Sequence, residues 1–142
     1  MPTIRQAPSD LDKRRFMQHA FDTIAQYFEQ ALNDLRVQEG VEIDFQLENK
    51  TQFMAEVFVN GKSRRQCQVW LDNDRIAFSD GPFGFGGAKS FNELLSLAPH
   101  NLALAALMKT GWGSEGEGLD LDKLAPEAAA EYLWRRFTSR LG

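Results

Sequence analysis

The chain has 142 residues, of which 43% are hydrophobic and 25% charged, proportions that exclude wholesale disorder and fibrous repeats. Sixteen basic against twenty acidic residues give a net charge of -4, which opposes general attraction to nucleic acid or to an anionic membrane surface. The single cysteine, Cys67, excludes an internal disulfide and any metal site built on several thiolates.

The length suits one domain with a continuous core, and residues 1–142 are read as a single α+β unit with a flexible N-terminus over residues 1–8. No apolar stretch follows the charged N-terminus, so it does not read as a secretory signal. The longest uncharged run, Leu94 to Met108, is too short to span a bilayer and contains Pro99, His100 and Asn101. A cytoplasmic, reducing location is the expectation.

Ser9 followed by Asp12 forms a capping box, with Asp where Glu or Gln is usual, and a helix begins there. Met17, Phe21, Ile24, Phe28, Ala31 and Leu35 recur at spacings of four and three, one apolar stripe of a long amphipathic helix that Gly40 stops. In VEIDFQLENK, Val41, Ile43, Phe45 and Leu47 alternate with Glu42, Asp44, Gln46 and Glu48, the period of a half-buried strand. Phe53, Ala55, Val57 and Val59 continue the pattern, followed by Cys67, Val69 and Leu71, then Ile76 and Phe78. Four short strands joined by tight turns predict an antiparallel meander, because parallel neighbours need long crossovers.

Parity fixes the expected register. A two-residue turn at Asn60-Gly61 would set Val57 opposite Arg64 and mix the faces, so the sequence predicts an odd turn with Gly61 in a left-handed bulge position. Ala55 then pairs with Cys67 and Phe53 with Val69, while a turn at Asn73-Asp74 pairs Leu71 with Ile76. Cys67 points into the core, where it behaves as a small hydrophobe.

Residues 79–90, SDGPFGFGGAKS, raise the question of a phosphate cradle. A Walker-type loop needs glycine immediately before Lys-Ser and again five residues earlier, and those positions hold Ala88 and Phe83. The dinucleotide fingerprint fails at position 89, and an antiparallel sheet is the wrong type for it. Ser90 with Glu93 instead reads as a capping box that opens a second helix, FNELLSLA. Phe83 and Phe85 either tuck into the core or cover a pocket or partner. Helical spacing resumes in LALAALMKTG, the stretch 111–118 reads as a mobile Gly/Glu-rich loop, and Pro126 opens a last helix. Arg135, Arg136 and Arg140 lie near the C-terminal end of that helix, where cations favour its dipole. The expected architecture is a long N-terminal helix, a four-stranded antiparallel meander, then two or three C-terminal helices packed on the sheet.

The usual catalytic sets are missing. His19 lies opposite the apolar stripe, His100 sits at a proline-marked junction, and neither is near Cys67 in this reading. No His or Cys spacing suggests zinc, and no GxSxG elbow is present. The outer sheet face is more informative. Pairing Leu47 with Phe53 sets Asp44 directly opposite Glu56, and like charges so placed cost stability unless something compensates. Solvent with Arg64, diagonal to Glu56, is the expected compensation, and the further readings are a bound metal or substrate group, or a basic partner surface. Met54, Phe58 and Trp70 make the same face apolar enough to be partly covered.

These features point to a non-enzymatic interaction or regulatory module, homodimeric or bound to another protein, with Phe58, Arg64, Trp70, Phe83 and Phe85 as its binding residues. No cofactor, nucleic acid, metal or membrane is expected. The alternatives are a small hydrolase-type enzyme using Asp44 and Glu56 as a carboxylate pair, or a sensor of a small-molecule ligand held under Phe83 and Phe85.

Overall fold

A computed structural model describes residues 9–80, 93–98, 102–107 and 118–139. Helix α1 (Asp10–Leu35) starts as the capping box requires: the Asp12 N–H donates to Ser9 Oγ at 3.0 Å and the Ser9 N–H to Asp12 Oδ2 at 3.1 Å. Met17, Ala20, Phe21, Ile24, Ala25, Phe28 and Leu32 form its buried face. The stripe therefore ends on Leu32, and Ala31 and Leu35 lie at its margin.

Six strands follow in one antiparallel sheet whose spatial order is the chain order: β1 (Val41–Asn49), β2 (Gln52–Val59), β3 (Lys62–Asp72), β4 (Arg75–Asp80), β5 (Glu93–Leu97) and β6 (Leu104–Ala106). A single helix, α2 (Pro126–Thr138), closes the described fold. The chain is thus α+β, with six strands and one C-terminal helix among the described residues in place of the expected four strands and two or three helices. The two segments expected to be helical, around ELLSL and LALAA, supply β5 and β6. Leu and Ala favour helix, but a run broken at Pro99 leaves too few residues to repay helix nucleation. The open edge of β4 offers that run a ladder of backbone partners instead: Ile76 pairs with Leu95 and Phe78 with Glu93. On the far edge the Leu104 and Leu124 backbones exchange bonds of 2.8 and 2.7 Å, so the segment leading into α2 covers β6.

The expected pairings hold across β1 to β4, including Asp44 with Glu56, Ala55 with Cys67, Phe53 with Val69 and Leu71 with Ile76. The turn between β2 and β3 is different. Val59 pairs with Lys62, and Asn60 and Gly61 both have positive φ, +53° and +80°, which describes a two-residue type I′ turn. Parity is restored by a bulge: Phe58 pairs with Ser63 and Val57 with Arg65, leaving Arg64 as the extra residue. The register shifts by one as the core pattern requires, through a bulge in β3 and not through an odd turn.

Both helices lie on the face that carries Phe53, Ala55, Val57, Cys67, Val69, Ile76 and Phe78, and together they enclose one core. Phe53 is its centre, with ring centroids of Phe21, Phe28 and Phe45 at 5.7, 5.3 and 5.4 Å. From α2 come Ala129, Ala130, Leu133 and Phe137. The opposite face of the sheet carries no helix among the described residues.

Candidate functional site

The helix-free face is assembled by strand alternation. β1 contributes Glu42, Asp44 and Gln46; β2 contributes Met54, Glu56 and Phe58; β3 contributes Ser63, Gln66, Gln68 and Trp70. Asp44 and Glu56 stand directly opposed as the sequence implied, but Arg64 does not bridge them. Glu56 Oε2 instead accepts from Ser63 Oγ at 2.6 Å, and Asp44 Oδ2 accepts from Gln46 Nε2 at 3.2 Å. The bulge explains the change, since the shift puts Ser63 where Arg64 was expected. Gln66 extends the polar row and lies 3.8 Å from the Met54 sulfur.

Phe58 and Trp70, expected to act together, stand at opposite ends of the β2–β3 hairpin. Phe58 pairs with Ser63 and Trp70 with Gln52, a separation of about 20 Å at roughly 3.3 Å per residue. The neighbours of Trp70 in register are Ala77 and, beyond it, Leu94. Ala77 and Leu94 are only 3% and 8% exposed. The face therefore has an amide-rich, acidic end over β1–β3 and an apolar end over β3–β5. Phe83, Phe85, His100 and Arg140, with Ser90 and most of the 111–118 stretch, lie outside the described residues.

Sequence reading missed two polar connections on the helix side. Arg65, opposite Val57 on that side, donates from Nε to the Phe137 carbonyl at 2.6 Å and from a terminal nitrogen to the Arg136 carbonyl at 3.1 Å. Its guanidinium also lies 5.7 Å from the Phe137 ring centroid. It is a cation at the C-terminal end of α2, whereas the helix's own Arg135 pairs with Glu131 one turn back at 2.8 Å. The second connection joins β5 to α2. Glu93, fully buried, accepts from the Tyr132 hydroxyl at 2.5 Å and, through its other oxygen, from the Leu94 N–H at 2.9 Å. Burial raises the Tyr132 hydroxyl above the usual tyrosine range, the bond to Glu93 adds to the shift, and nearby Arg136 opposes it. The missed signal was parity: in a strand, Glu93 shares a face with Leu95 and Leu97, which puts its carboxylate in the core.

A groove of about 640 Å³ runs between α1 and α2, lined by Tyr27, Leu35 and Trp134 with Asp34, Gln38 and Thr138. Burial raises the Tyr27 hydroxyl there, with Glu131 adding to the effect. Among the described residues no three His, Cys, Asp or Glu side chains stand close enough to hold a metal ion, and no helix is long and apolar enough to cross a membrane. Cys67 is buried and His19 exposed.

Residues 42–139 match the family model of the Y4lF protein domain, and the chain belongs to that family. The match spans the sheet and α2 and leaves α1 outside it. No curated protein and no solved structure matches the chain.

Proposed function

We propose that this member of the Y4lF domain family is a non-enzymatic interaction module that holds another protein chain, in the first instance a second copy of itself, against the helix-free face of its sheet. The observation that carries this reading is the asymmetry of the sheet. All the described helices lie on one side, while Met54, Phe58 and Trp70 stand half-buried on the other among the amides of Gln66 and Gln68. Aromatic residues and methionine are enriched where proteins meet. Amides both donate and accept, so a glutamine row can meet its own copy without mismatch.

The hydrolase reading has less support. Asp44 and Glu56 sit on an open sheet face, each engaged by a neighbouring side chain, in a place that does not exclude water. Acid–base chemistry by two carboxylates depends on environments that separate their pKa values.

The proposal is tested by following backbone amide shifts of the labelled protein as its concentration rises from about 10 μM to about 1 mM, where modest interfaces form. Shifts confined to the outer faces of β2 and β3 support it. Shifts confined to the α1–α2 groove would move the interface to the helical side.

A further inference from the structure

β1 is the edge of the sheet, and among the described residues no strand lies on its outer side. The Asn60 N–H donates to the Gly40 carbonyl at 2.8 Å. By the alternation of an antiparallel ladder, the backbones of Glu42, Asp44 and Gln46 then turn towards β2, and those of Ile43, Phe45 and Leu47 turn away from it. Three consecutive outward positions along a nine-residue strand thus present N–H and C=O groups to an incoming chain. Such an edge is a template for strand addition unless it is guarded.

The side chains choose the occupant. On the outer face the strand carries Glu42 and Asp44 and no basic residue, and Glu48 stands exposed in the register shift between Leu47 and Asn49 at the strand end. Two copies paired edge to edge would set these acids against one another, which is destabilising. On the helix-facing side, Ile43 and Phe45 are half-buried and Leu47 is 58% exposed at the strand end. An added strand that alternates basic and apolar residues satisfies both sides, with its cations beside the acids and its apolar residues beside Ile43, Phe45 and Leu47. A cation next to Asp44 would also offset the direct opposition of Asp44 and Glu56. We infer that β1 accepts an extended basic–apolar segment of another protein as a seventh strand. This surface is the sheet edge and not the open face around Phe58 and Trp70, so the two ideas stand or fall on different substitutions.

The test uses the full chain and two heptapeptides, one alternating Lys with Val and one alternating Glu with Val. The Lys-Val peptide should bind with at least about tenfold preference over the Glu-Val peptide, and should slow hydrogen exchange at the Ile43, Phe45 and Leu47 amides. The surface variant Glu42→Lys/Asp44→Lys/Glu48→Lys should invert the preference and keep the same protected amides. Binding of the Lys-Val peptide without protection of those amides would mean charge attraction alone and would overturn the inference. So would equal binding of both peptides, no binding at all, or protection that appears without peptide as protein concentration rises, which would make the occupant a second copy.

Discussion

The Arg65 guanidinium on β3 closes the end of α2: its Nε lies 2.6 Å from the Phe137 carbonyl. The last carbonyls of a helix have no intrahelical donors, and a cation there also meets the negative end of the dipole. Arg65→Met keeps most of the packing and removes these bonds. It should cost about 2–3 kcal/mol, the scale of hydrogen bonds to charged groups. Arg65→Lys should recover less than half of that, because one ammonium cannot reproduce the planar fork that serves both carbonyls. Urea denaturation of the three proteins measures the series, and a Met variant as stable as wild type would contradict it.

The Tyr132–Glu93 bond ties β5 to α2 through the core. Tyr132→Phe keeps the ring and removes one donor from a buried carboxylate, at a cost of about 1–3 kcal/mol near neutral pH. The pH dependence has a definite sign. Because the folded state holds the Tyr132 hydroxyl above its unfolded value, its contribution is fully present below about pH 10 and is lost as pH rises further. The stability difference between wild type and the Phe variant should therefore shrink in alkali. Denaturation curves at neutral pH and above pH 10 would show it, and a difference that grows would be the wrong sign.

Gly40 has a φ of +79°, and a Cβ placed on it would lie 2.5 Å from Asn60 Oδ1. Gly40→Ala should lose about 1–2 kcal/mol from the left-handed backbone alone, with the steric clash in addition. Asn60→Gly removes the clashing atom while keeping the positive φ of the turn. The double variant should then be more stable than the sum of the two single effects. A double-mutant cycle by thermal denaturation measures this coupling, and strict additivity would show that the two sites do not meet.

Phe53 and Phe45 lie on the same side of neighbouring strands, yet only Phe53 is fully buried. Phe53→Ala should cost about 3–5 kcal/mol, the usual range for emptying an aromatic core site. Phe45→Ala, near the sheet edge, should cost roughly half as much, since its side chain keeps partial contact with water. Chemical denaturation should rank them in that order.

Much of this fold was legible where local patterns agree with each other. The Ser9–Asp12 box, the stripe from Met17 to Phe28 and the alternation of β1 to β4 each follow from one periodicity, and their register follows from the parity of side chains. Where short apolar runs carry no period, the sequence misled. ELLSL and LALAA have helical propensity, and only the open edge of β4, and then that of β5, decides that they pair as strands. The bulge at Arg64 was invisible for a different reason: an odd turn and an even turn with a bulge give the same core register and keep Arg65 opposite Val57, and they differ only in whether Arg64 or Ser63 stands opposite Phe58. That ambiguity exchanged the expected Arg64 counterion for Ser63, whereas the closure of α2 by Arg65 was hidden because it depends on where the end of α2 comes to rest. On the open face, the pairing of Asp44 with Glu56 was read correctly. The distance between Phe58 and Trp70 was not, because it depends on counting along the paired hairpin as well as across it.

The proposal that the helix-free face holds a second protein surface is tested most directly by sedimentation equilibrium of the wild type and of Phe58→Ser/Trp70→Ser. Loading from about 10 μM to about 1 mM brackets the affinities expected of a modest interface. The wild type should show a mass that rises with concentration towards the dimer, and the double variant, still folded by circular dichroism, should stay a monomer. A wild type that remains a monomer across the range, or a variant that associates as well as the wild type, would contradict the account.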